Sequence, residues 1–287
     1  MRICIVSPHL DDAILSCGVL MQRHAAAGGK VFALNIFTAG TNGENRRKEE
    51  QAAQSVIGAE PYFFDELDAP DRDPKYIPLT NLFFGALNDA QRPYIEHVAG
   101  RVRNFLSGHK IDLAIFPLGA GGHIDHRTAF EVGRRITSVP VRFYEDRPYI
   151  LWPGVLQGRM NQIGADAALP VVTPADMQAT LHSYHYLKHF VPEGYYQDEC
   201  LPMYYAALKR TAPVSVKSTV TEQAPARETE LKKLYEALAR YDSQMHLIYS
   251  SFDNFVKDSL AHEQARTGTP AYIERSWTLQ QAYSNTP

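Results

Sequence analysis

Two hydrophobic periods take turns along the first half of the chain. Ile3–Val6 is a short apolar run that stops at Ser7-Pro8, the pattern of a buried strand entering a loop. From Ala13 to Ala27 the spacing changes, so that Ala13, Cys17, Leu20, Met21 and His24 share one helical face, and Gly28-Gly29 supplies a left-handed C-terminal cap. Val31–Thr38 is a second apolar run, followed by a polar-faced helix over Arg46–Ile57 that Gly58 closes. Pro61–Phe64, Ile111–Pro117 and Val141–Tyr144 predict further strands, with helices over Pro93–Leu106 and from about Arg127.

Strands alternating with helices imply right-handed crossovers and a mostly parallel sheet with helices on both faces. The second half is less regular. Thr173-Pro174-Ala175-Asp176 predicts the start of a helix through His189, and Leu231, Leu234, Leu238, Tyr241 and Met245 recur at helical spacing along a long late helix. Neither an internal repeat nor a low-complexity linker divides the chain. The expectation is one α/β domain over residues 1–287, with a core of about 1–145 and a largely helical C-terminal part of about 146–287 that carries the pocket walls.

Composition narrows the class. A chain of 287 residues, 45% hydrophobic and 21% charged, suits a soluble globular protein with one sizeable core. A net charge of −3 with scattered Lys and Arg argues against nucleic acid as partner. Cys4, Cys17 and Cys200 are too few and too irregular for a disulfide framework or a thiolate zinc site, which fits a reducing compartment. The N-terminus opens directly into a strand-like run, and no stretch is apolar for a membrane-spanning length, so a cytoplasmic chain with no membrane partner is expected. A homo-oligomer is compatible with all of this.

Two motifs at strand ends carry chemistry. The first is Ser7-Pro8-His9-Leu10-Asp11-Asp12-Ala13; the second is Gly121-Gly122-His123-Ile124-Asp125-His126-Arg127. In a parallel sheet, ligands collect at the carboxyl ends of strands, so the two would meet there. Two imidazoles and a carboxylate are a familiar ligand set for catalytic zinc, which keeps a position open for water. Taking His9, Asp12 and His126 as ligands leaves Asp11 as the base that takes the water's proton. His123 is then placed to help stabilise the oxyanion, and Asp125 to orient an imidazole. Taken singly, Asp-Asp after a strand is commonly a turn and helix cap, and His-x-Asp-His a solvated helix start.

The first motif resembles the Pro-His-Pro-Asp-Asp-Glu signature of the PIG-L/LmbE-like deacetylases, and the second matches that family's His-x-Asp-His. Arg46-Arg47-Lys48-Glu49 leading to Ile57-Gly58 is similar to the family's Arg-x-x-Glu helix ending in Leu-Gly, and Tyr241-Asp242-Ser243-Gln244 resembles a weaker late feature. The resemblance covers residues 1 to about 145. It implies a Rossmann-like fold and zinc-dependent removal of N-acetyl groups from amino sugars or related metabolites. It implies His9, Asp12 and His126 as ligands, Asp11 as general base, His123 as the oxyanion-stabilising histidine and Arg46 as a substrate-binding arginine. Leu10 stands where the family has proline, and Ala13 where it has an acidic residue, which leaves the chemistry intact and puts substrate preference in doubt.

Other features have simpler accounts. His182, His185 and His189 share a helical face that would suit a second metal, but aromatic residues interleave with them and ordinary packed histidines suffice. Gly119-Ala120-Gly121-Gly122 is more economically a close-approach loop than a phosphate cradle. Of the aromatic residues Tyr149, Trp152, Tyr195, Tyr196, Tyr204 and Tyr205, most read as core, and some as a wall on which a sugar ring stacks. Asp68 and Asp71, just after the third strand, are candidate acceptors for substrate hydroxyls. The expected function is a metal-dependent N-deacetylase of a small N-acetylated molecule, with zinc as default and iron(II) or another divalent ion accepted by the same donors. Rival readings are hydrolysis of another amide or a thiol conjugate, and a silent metabolite-binding protein.

Overall fold

Strand β1 (Arg2–Ser7) is buried from Ile3 onwards, and its side chains divide the interior into two layers. Ile3 and Ile5 pack on one side of the sheet with Ile14, Leu15, Ala53 and Ile57, whereas Cys4 and Val6 face the other with Val98, Val102, Phe116 and Phe130. This is the period-two alternation of a strand with both faces covered, which is why the run contains no polar residue between Ile3 and Val6. The computed structural model describes residues 1–40, 43–170, 172–173, 175, 206, 212–248 and 251–281.

β1 pairs in parallel with β2 (Lys30–Ala39) and with β4 (Leu113–Pro117). With β3 (Glu60–Leu67), β5 (Val141–Tyr144), β6 (Val216–Glu222) and β7 (Arg275–Gln281) the sheet order is β3-β2-β1-β4-β5-β7-β6. The first five strands are parallel, and β7 runs antiparallel to both β5 and β6. Helices α1 (Asp12–Ala26) and α2 (Gly43–Ile57) cover one face, and α5 (Arg92–Gly108) and α6 (Ile124–Gly133) the other. Between them in sequence come the short α3 (Ala69–Arg72) and α4 (Leu79–Phe84). The fold is thus the expected mostly parallel α/β sheet. The chain leaves β1 towards β2 and β3, then returns to β4 on the other side. That reversal opens a crevice at the strand carboxyl ends.

Three features differ from the pattern-based expectation or add to it. The C-terminal part contributes two strands, β6 and β7, besides helices α7 (Val155–Gln162), α8 (Glu228–Leu238), α9 (Met245–Ile248) and α10 (Phe252–Thr267). The long late helix is broken: α8 stops at Leu238, and residues 242–244 form a turn before α9. Side chains hold that turn. The Tyr241 hydroxyl donates to the buried Glu50 carboxylate of α2, and the Ser243 backbone N–H and hydroxyl donate to Glu49 at 2.9 and 2.6 Å. The helix expected from Arg127 begins at Ile124, because the His123 ring Nδ1 accepts the Asp125 N–H and caps it. The expected helix through His189 and the trio His182, His185 and His189, with Cys200, Tyr195, Tyr196, Tyr204 and Tyr205, lie outside the described residues.

The strand next to the sheet edge, β7, is tied to the first helix. In the middle of α1 the N–H groups of Val19 and Leu20 donate to the buried Glu274 carboxylate at 2.8 and 2.7 Å, immediately before β7. Burial, opposed by Arg147 and these hydrogen bonds, pushes the Glu274 carboxyl up to about 7. Among the described residues no helix is long and apolar enough to cross a membrane.

Candidate metal centre and active site

The β1–α1 loop carries His9 and Asp11, with Asp12 the first residue of α1, and the loop after β4 carries His123, with Asp125 and His126 in the first turn of α6. The topological reversal brings the two loops together. Ligating atoms of His9, Asp12 and His126 all lie within 4.8 Å of one another. Asp12 Oδ2 sits between the two rings, 3.3 Å from His9 Nδ1 and 3.3 Å from His126 Nε2.

The far nitrogen of each ring is held by a carboxylate. His126 Nδ1 lies 2.7 Å from Asp146 Oδ1, and His9 Nε2 lies 3.2 Å from Asp125 Oδ2. A carboxylate only accepts, so each of these nitrogens carries the hydrogen, and the lone pair of a neutral ring is left on the nitrogen that faces Asp12. Asp125 is fully buried and is itself fixed by Arg72 at 2.7 Å and by the Ala69 N–H at 2.8 Å. His126 Nε2 is buried, and 3.3 Å from Asp12 it lacks the alignment for a hydrogen bond. A buried nitrogen with no hydrogen-bond partner among the described residues, converging with a carboxylate and a second imidazole, fits a divalent cation.

The charges fit as well. Burial disfavours the ionised carboxylates, yet the neighbouring His126 and His9 hold Asp12 far below the usual carboxylate range, and His9 and Arg72 do the same for Asp125. Conversely burial lowers the two rings, but Asp12 with Asp125 raises His9 to about 9, and Asp12 with Asp146 raises His126 to about 10. Positive charge is favoured at this spot, whether as protons on imidazole or as a cation that displaces them.

Asp11 stands beside the triad in a backbone conformation that a non-glycine residue rarely adopts, with φ +133° and ψ −33°. Its carboxylate lies 3.7 Å from Arg46 Nη2, and the same nitrogen donates to the Leu10 carbonyl at 3.2 Å. Burial and the adjoining Asp12 charge push Asp11 up to about 7, against the pull of Arg46 and His9. His123 is held well below the ordinary imidazole range by burial and by positive charge on His9 and His126. With Nδ1 accepting the Asp125 N–H, its hydrogen is on Nε2, so it is an uncharged donor.

These groups share a cleft of about 250 Å³, lined among others by Asp68, Leu82, Phe83, Tyr149, Gln244 and Ile248. Tyr149 stands edge-on to the His126 ring at 5.2 Å, and Phe83 edge-on to His123 at 5.4 Å. Gly121 makes room for this: a Cβ there would lie 2.4 Å from the Tyr149 ring, and its φ is +81°. Asp68 Oδ1 is buried and has no hydrogen-bond partner among the described residues. Asp71, by contrast, is exposed and not among the lining residues; its carboxylate packs against Gly40. Ala13 is fully buried, its N–H donating to Ser7 Oγ. A buried carboxylate reaches Asp11 electrostatically from α2 instead, in Glu50. Sequence reasoning missed Asp146 and Arg72, the two residues that hold the imidazole assembly from behind. Asp146 had a signal, since it follows β5 at its carboxyl end.

Residues 4–137 match the family model described as PIG-L, GlcNAc-PI de-N-acetylase. This segment, a little under half of the chain, is similar to the PIG-L family. The matched segment contains His9, Asp12 and His126 and stops before β5. The chain also resembles solved structures over nearly its whole length. A zinc-inhibited form of teicoplanin deacetylase Orf2 matches at TM-score 0.67 and 18% identity, covering 99% of this chain and 100% of that one. A deacetylase–teicoplanin complex matches at 0.65 and 19%, over 98% and 99%. The A40926 pseudoaglycone deacetylase Dbv21 matches at 0.63 and 16%, over 99% of both. At these identities the structural likeness speaks for the fold. No curated protein matches the chain.

Proposed function

We propose that this chain is a metal-dependent N-deacetylase acting on an N-acetylated amino sugar or a similar small metabolite. The observation that carries the reading is the convergence of His9 Nδ1, Asp12 Oδ2 and His126 Nε2, each imidazole backed by its own carboxylate, beside a strained Asp11 and a neutral His123.

His9, Asp12 and His126 would hold the cation, with zinc as the first choice and iron(II) accepted by the same donors. When bound, a divalent cation supplies Lewis acidity towards the amide carbonyl and makes the attacking water more acidic. Asp11 accepts the proton of that water as its oxygen attacks the acetyl carbon. His123 Nε2–H donates to the carbonyl oxygen as negative charge collects there. Asp11 then returns the proton to the departing nitrogen, giving acetate and a free amine. Arg46 holds Asp11 in place through its contact with the carboxylate, and its reach into the cleft suits a substrate oxygen as well. Phe83 and Tyr149 offer ring faces and edges to a sugar, and Asp68 Oδ1 an unused acceptor for a hydroxyl. The family description and the deacetylases among the structural neighbours support the same reaction.

The test is acetate release. Purified protein loaded with zinc, iron(II) or cobalt is offered N-acetylglucosamine derivatives and, beside them, amides with larger acyl groups and acetylated thiol conjugates. Turnover of the acetylated sugars above the other amides is expected. Inactivity of every metal-loaded form towards all acetamides would sink the proposal.

A further inference from the structure

A second cavity, of about 280 Å³, lies behind the catalytic cleft. The 3-10 turn Tyr149–Leu151 is the partition: Tyr149 lines the cleft, while Ile150 and Leu151 line the second cavity with Trp152, Leu156 and Leu169. Its other wall is α10. Asp258, His262 and Arg266 are spaced four residues apart on that helix and face the cavity together.

The polar groups there are unequally committed. Arg266 Nη1 donates to both Glu145 oxygens, at 3.0 and 2.9 Å. Gln157 Oε1 accepts the Val172 N–H at 3.2 Å. His262 is partly buried, and its Nε2 is a buried atom with no hydrogen-bond partner among the described residues. Burial, with Arg147, Arg266 and Arg275 nearby and only Glu263 opposing, pushes its imidazole down to about 3, so the ring is neutral. A buried ring nitrogen left without a hydrogen-bond partner is destabilising unless something bonds to it. The mechanism above uses none of these residues.

We propose that this cavity is a separate binding site for a small uncharged amphiphile, whose apolar body fills the Leu151–Trp152–Leu156 wall and whose hydroxyl or carbonyl meets His262. Size and charge set the class. A dry cavity of about 150 Å³ accepts benzene, so this one takes a ring or chain with room for a polar group. Arg266 is committed to Glu145 and Asp258 has an interaction of its own, so neither is open to pair with an ionised head, which leaves a neutral one.

The experiment uses the full chain and hexan-1-ol as probe, with hexanoate as its charged counterpart. Binding is read by titration calorimetry and by fluorescence, since Trp152 is one of only two tryptophans. Ala261→Phe fills the cavity from α10, and Ala265→Leu serves the same purpose if the first variant does not fold. His262→Phe keeps the bulk of the ring and removes its nitrogens. Saturable hexanol binding is expected, abolished by the filling variant, weakened roughly twofold to tenfold by His262→Phe, and absent or much weaker for hexanoate. No saturable hexanol binding, binding that survives cavity filling, equal affinity in His262→Phe, or hexanoate binding as well as hexanol would each overturn the proposal.

Discussion

Asp146 Oδ1 lies 2.7 Å from His126 Nδ1, although twenty residues separate them and they reach the site from different strands of the sheet. The hydrogen bond fixes the ring's tautomer and turns Nε2 towards Asp12. Carboxylates in this position behind a ligating histidine typically contribute roughly 10–100-fold to metal affinity. Asp146→Ala is therefore expected to bind zinc more weakly by about that factor, measured by competition with a chromogenic chelator. Unchanged affinity would mean that His126 needs no such support.

Asp11 is next to the triad but outside it, and its proposed work is proton transfer. Asp11→Asn keeps the size and removes the basicity. Metal content by mass spectrometry should stay the same while turnover falls by roughly 10²–10⁴. A variant that hydrolyses acetamides at the normal rate would remove Asp11 from the mechanism.

Gly121 has no side chain where the Tyr149 ring passes. Gly121→Ala places a Cβ 2.4 Å from that ring in a backbone conformation unfavourable to alanine, so Tyr149 must leave its edge-on contact with His126. The expected outcome is a raised KM for the sugar substrate and a loss of stability on the order of 1–3 kcal/mol. Wild-type KM in a folded variant would show that Tyr149 does not bear on the substrate.

Glu274 gives a pH signature away from the chemistry. Its carboxyl rises in the folded protein from about 4.5 to about 7, so the folded state holds a proton that the unfolded state has already released in that window. Its contribution is fully present below pH 4.5 and is lost as pH rises towards 7, amounting to about 3 kcal/mol. Glu274→Gln should flatten the fall in stability across this window, seen by denaturant unfolding at several pH values. Parallel profiles for the two proteins would exclude Glu274 as the source.

Much of the site was legible because its groups sit in two short runs. His9, Asp11 and Asp12 follow one strand and His123, Asp125 and His126 another, and a parallel sheet brings such ends together. What supports them from behind was not legible. Arg72 and Asp125 are 53 residues apart, and nothing local marks Arg72 as the partner of a buried carboxylate. Asp68 and Asp71 looked equivalent in sequence, yet one enters the cleft and the other packs on Gly40. Strand β6, Val-Lys-Ser-Thr-Val-Thr-Glu, has only two apolar residues, because as an edge strand it has little to bury. The late helix misled for the opposite reason: Leu234, Leu238, Tyr241 and Met245 keep helical spacing across a turn that Glu49 and Glu50 hold open.

The φ of +133° at Asp11 has a consequence for anyone engineering this chain. Glycine holds that conformation without penalty, and removing the carboxylate also relieves its repulsion with Asp12. On the mechanism proposed above, position 11 is one where thermal hardiness and catalytic power pull in opposite directions. A library sorted for heat resistance alone would drift from aspartate to glycine there, and its most durable members would be the ones that have lost the proposed base.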